Sequence, residues 1–72
     1  MPASFVMAEV LFGSRESYCL RALDEDLKPE GLPFDAFRIG GWDRDVPAGF
    51  VVWAWLSDDV NVFIHHDLPP MV

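Results

Sequence analysis

A chain of 72 residues has room for one domain, and at that size folding hides only about 60% of the surface of the unfolded chain. Yet 51% of its residues are hydrophobic and three are tryptophan. So small a body cannot enclose all of that, and part is left for contact with another copy or another protein. Acids outnumber bases by twelve to five, for a formal charge of −7; a field of that sign repels nucleic acid and anionic membrane surfaces and draws in basic partners.

Residues 4–12, SFVMAEVLF, are apolar at both parities apart from Glu9 and stop at Gly13, the pattern of a buried strand. Ser14 then stands where a helix N-cap would, with Glu16 in the first turn. Cys19, Leu20, Leu23 and Leu27 fall near one face of a 3.6-residue period, which predicts a helix over 15–27. Two features oppose it. Tyr18, Leu20 and Ala22 alternate as a strand would, and Asp24, Glu25 and Asp26 would sit at the helix C-terminus, where the macrodipole disfavours acids. The competing reading pairs 5–12 with 17–23 as a hairpin and makes the protein all-β.

Residues 28–33, KPEGLP, are punctuation, since two prolines and a glycine forbid a regular element. Residues 34–39, FDAFRI, alternate imperfectly and fit a short strand at a sheet edge. Residues 40–49, GGWDRDVPAG, form a long polar loop whose conspicuous occupant is Trp42, read either as a lid over the sheet or as an exposed anchor.

The stretch 50–66, FVVWAWLSDDVNVFIHH, is two runs of β-favouring residues across an acidic turn at Asp58 and Asp59, the sequence form of a hairpin. A two-residue turn with Ser57 facing Val60 pairs Trp55 with Val62, Trp53 with Ile64 and Val51 with His66 on one face. Val52, Ala54, Leu56 and Phe63 share the other face with Asn61 and His65. Both faces are largely apolar, so one packs on the core and the other is covered by something else; Trp53 and Trp55 read as core. The tail 68–72, LPPMV, is extended by its prolines. The predicted architecture is α+β, a single domain over 1–72 with an antiparallel sheet of about four strands and one packed helix. The alternative is an all-β meander or small barrel.

Little in the chain resembles a reactive site. His65-His66-Asp67 holds good metal ligands, but neighbours on a strand point to opposite faces, and no further ligands stand at supporting spacing. No metal and no cofactor are expected. The single Cys19 cannot form an internal disulfide. The carboxylate pairs lie in turns rather than in a sheltered cleft suited to general acid–base work, and G-x-S-x-G is missing, so no catalytic residue is assigned and no enzyme is expected. With no leader pattern and no apolar run near the ~20 residues of a membrane span, the expectation is a cytoplasmic protein.

These observations predict a small acidic, non-enzymatic protein-binding module. Its concrete form is an inhibitor occupying a basic, nucleic-acid-binding site on a partner protein, as phage anti-defence proteins of the anti-CRISPR or anti-restriction type do. The candidate contacts are Trp42, Asp43, Asp45, Asp24, Asp26, Asp58 and Asp59. Two other readings stand beside it: a structural or accessory subunit that homo-oligomerises through its apolar sheet face, with a homodimer as one form, and a small metal-binding protein using His65 and His66.

Overall fold

The computed structural model describes residues 4–40 and 44–65. Among them are five strands and no helix: β1 (Ser4–Ser14), β2 (Ser17–Ala22), β3 (Phe34–Arg38), β4 (Val51–Leu56) and β5 (Val62–Ile64). They close into a barrel in the order β1-β2-β3-β5-β4. All pairs are antiparallel except β3 with β5. The α+β expectation is thereby overturned in favour of the small barrel, and β3 is no edge strand, since it is paired on both sides. No helix of the described residues is long and apolar enough to cross a membrane.

The helix expected over 15–27 is a strand because the alternation of Tyr18 and Leu20 supplies two inward side chains to a closing sheet, which one apolar helix stripe on so small a body could not replace. Its helical stripe was a coincidence of spacing. Leu27 lies past the strand, 54% exposed and at a φ of 62°. Ser14 is the last residue of β1 rather than a cap, and Arg15 and Glu16 form the tight turn to β2, with Arg15 at a φ of 56°. That left-handed conformation costs a non-glycine residue roughly 1 kcal/mol. The turn is held by Asp45, whose Oδ1 accepts the Arg15 backbone N–H at 2.8 Å.

Closure depends on β1, which is long enough to serve two neighbours. Its first half pairs with β4, its second half with β2, and Ala8 and Glu9 take part in both ladders. A register shift between Val10 and Phe12 marks an irregularity there, the device by which a strand bends round a barrel. Among the described residues, closure leaves no open sheet edge for another chain to extend.

The interior follows strand alternation: Ala8 and Val10, Tyr18 and Leu20, Ala36, Val52 and Ala54, and Phe63 form one buried cluster. Val46 completes it from the loop between β3 and β4 and is 3% exposed, like Ala36 and Val52. Two side chains hold that loop across the barrel end: the Tyr18 hydroxyl accepts the Val46 N–H at 2.8 Å, and the buried Arg38 donates from Nη1 to the Arg44 carbonyl. The loop is therefore partly a lid, with an aliphatic plug at Val46. The lid or anchor role considered for Trp42 falls outside the described residues.

Gly13 faces Tyr18 across the β1–β2 ladder at a φ of 147°. A methyl group there would come within 2.5 Å of the Ser17 carbonyl oxygen and of the Tyr18 ring. Gly13→Ala should therefore lower folding stability by about 2 kcal/mol or more in urea denaturation, from strain and clash together. At Gly31, where the φ is 76° and nothing crowds an added methyl, the cost should stay near 1 kcal/mol. Equal effects at the two glycines would contradict the packing of Tyr18 against β1.

Candidate functional site

Alternation that turns Val52 and Ala54 inward turns Trp53 and Trp55 outward, so the two tryptophans expected in the core lie on the barrel's outer wall. The inter-strand register Trp53 with Ile64 and Trp55 with Val62 is as the sequence implies; the partner expected for Val51, His66, lies outside the described residues. From β1, Phe5 sits opposite Trp55 and meets both indoles edge-on, at ring-centroid distances of 4.9 Å to Trp55 and 6.1 Å to Trp53. These three rings remain 57%, 49% and 44% exposed for Phe5, Trp53 and Trp55.

Beside them runs a groove of about 210 Å³ lined by Phe5, Ile39, Trp53, Trp55, Val62, Phe63 and Ile64. None of these side chains carries a charge. The three rings and this groove form one contiguous apolar patch on the outer wall. Covering the remaining half of each ring is worth roughly 2 kcal/mol at about 25 cal/mol per Å². An exposed ion pair contributes only about 0–1 kcal/mol. The aromatic wall, not the acids, is where affinity would come from.

Phe5 and Trp53 also wall a second groove, of about 450 Å³, whose far side is the loop between β2 and β3 with Leu23, Asp24, Glu25 and Glu30. That loop is seated on the barrel. Leu23 is buried, its N–H donates to the Met7 carbonyl at 2.9 Å, and it bridges to Pro29. The Asp24 carboxylate accepts the backbone N–H groups of Asp26 and Lys28, both at 2.9 Å, and so shapes the turn. Glu25 and Glu30 are exposed along its rim.

The contact residues expected from sequence are not brought together. Asp45 belongs to the loop at the β1–β2 turn, whereas strand direction carries Asp24 and Asp26, and Asp58 and Asp59, towards the other end. Asp26, Asp58 and Asp59 are exposed, Asp24 and Asp45 hold backbone turns, and Trp42 and Asp43 lie outside the described residues. The sequence did not single out the outward cluster of Phe5, Trp53 and Trp55. For the two tryptophans the signal was an apolar second face on the hairpin, but which face closes inward is set by strands far away in sequence.

His65 is half-buried with its ring edge-on to Phe50 at 5.5 Å, and His66 lies outside the described residues. Among the described residues no three His, Cys, Asp or Glu side chains gather as metal ligands would. Cys19 is free and half-buried on the outer side of β2.

Five-stranded Greek-key barrels as a class bind oligonucleotides and oligosaccharides, commonly on the face of their second and third strands. Here that face presents Cys19, Arg21, Asp35 and Phe37, without the basic track a phosphate backbone needs. Topology alone does not carry function between such barrels. The chain matches no protein-family model, no curated protein and no solved structure.

A substitution pair separates the wall from the core. Phe63→Ala, at a position only 1% exposed, should cost about 3–5 kcal/mol of folding stability. Trp55→Ala should cost about 1 kcal/mol, because half of the indole is already in water and only edge contacts are lost. Comparable losses in thermal denaturation would mean that the indole is buried in solution. Separately, Arg15→Gly should raise stability by up to about 1 kcal/mol, by relieving its left-handed backbone; a decrease would show that the Arg15 side chain itself is needed.

Proposed function

We propose that this barrel is a non-enzymatic protein-binding module that docks a partner protein on the outer wall of β1, β4 and β5. One observation carries the reading: Phe5, Trp53 and Trp55 form an aromatic cluster, about half exposed, beside a groove with no charged lining. Aromatic residues are the side chains most enriched at binding hot spots, and a rigid wall holds them ready without an ordering cost. The surrounding acids and the charge of −7 speed encounter with a basic partner and discourage nucleic acid as a direct ligand. A narrower form, in which the covered surface is one where the partner itself binds nucleic acid, draws its support from that charge.

The module should be immobilised and offered cell extract as wild type, as Trp53→Ala/Trp55→Ala, and as Phe12→Ala, which removes a more exposed ring from the β1–β2 hairpin. A protein retained by wild type and Phe12→Ala but lost by the double variant, with an affinity loss of about 2 kcal/mol or more, places the contact on the wall. Retention by all three proteins would remove the wall from consideration. Raising salt from about 50 to 500 mM should slow association several-fold while leaving dissociation nearly constant, because long-range steering is screened and apolar contact is not.

A further inference from the structure

We infer that the wall takes an extended basic segment of the partner, with an aliphatic side chain in the apolar groove and an arginine or lysine against Trp53 in the acid-rimmed one. This rests on the docking reading above and names its chemistry. The two grooves are neighbours divided by a common wall, Phe5 and Trp53, yet their far sides differ in kind. Beyond the first are Val62 and Ile64, and beyond the second are Glu25 and Glu30. An occupant filling both must be apolar at one end and cationic at the other.

Alternate side chains of an extended segment lie about 6.6 Å apart on one face, a spacing suited to straddling a single row of rings. A guanidinium or ammonium group over an indole face gains from the ring quadrupole, and arginine also stacks flat on it. The carboxylates of Glu25 and Glu30 then meet that cation from the opposite side, whereas Asp24 is engaged in its own turn. A second copy of this chain fits poorly, because it brings a further −7 charge against the same acidic rim. Phosphate-bearing polymers are repelled for the same reason.

The test is a selection of random octapeptides displayed on phage against the full chain, followed by titration of the best synthetic peptide, monitored by tryptophan fluorescence. Selected sequences should place arginine or lysine two residues from leucine, isoleucine or valine. Affinity should fall tenfold or more in Trp53→Ala and about three- to tenfold in Glu25→Gln/Glu30→Gln, whose exposed positions leave folding intact should the tryptophan variant be unstable. Glu25→Lys/Glu30→Lys should recover binding when the peptide's basic residue is replaced by glutamate. Uncharged apolar peptides that need Trp53 but ignore the glutamine pair would overturn the basic-segment inference and leave the docking wall standing. Binding indifferent to both variants would overturn the inference and the wall together. If no peptide is enriched, the inference fails; sedimentation then shows whether wild type dimerises where Trp53→Ala does not, which would make a second copy the occupant.

Discussion

Tyr18 is the side chain on which this barrel depends. Its ring is almost wholly buried and meets Phe63 edge-on at 5.3 Å, joining the β1–β2–β3 meander to the β4–β5 hairpin inside the core. Its hydroxyl reaches the barrel end and takes the Val46 N–H, so the same residue anchors the long loop that plugs that end. The space for it is made by its neighbours in the ladders, Gly13 on β1 and Ala36 on β3. Phe63 has a similar small neighbour, Ala54 on β4. Small barrels commonly set large interior residues beside small ones in this way.

With so few residues each strand turns only one or two buried side chains inward, and that demand explains the exterior. Once Val52, Ala54 and Phe63 are turned in, strand geometry obliges Trp53, Trp55, Val62 and Ile64 to face out. An uncovered aromatic wall is a liability for solubility, and the strong negative charge offsets it by keeping molecules apart. The acids thus have a role even where they make no contact with a partner. Two also have local work: Asp24 holds two backbone N–H groups and Asp45 one, which removes them from the set of surface charges waiting for a ligand.

The error over 15–27 has a definite cause. Cys19, Leu20, Leu23 and Leu27 satisfied a helical period while Tyr18, Leu20 and Ala22 satisfied a strand period, and local pattern cannot choose between two partial matches. The choice was made by partners. β2 bonds to β1 on one side and to β3 on the other, and a helix could have answered neither ladder. The same limit hid the parallel pairing of β3 with β5, because Phe37 and Val62 are separated by a long loop, a whole strand and a turn, and nothing local signals that they pair.

What the sequence determined by itself was local. The strand from Ser4, the hairpin pairing Trp53 with Ile64 and Trp55 with Val62, the punctuation after Lys28 and the surplus of apolar surface could all be read there, since each depends on near neighbours or on composition. Tertiary structure alone decided that the sheet closes, that Val46 enters the core, and that the tryptophans face outward beside Phe5. A strand with two apolar faces does not say which is inside. That is settled only when the remaining strands bury one face against one another and leave the other in water.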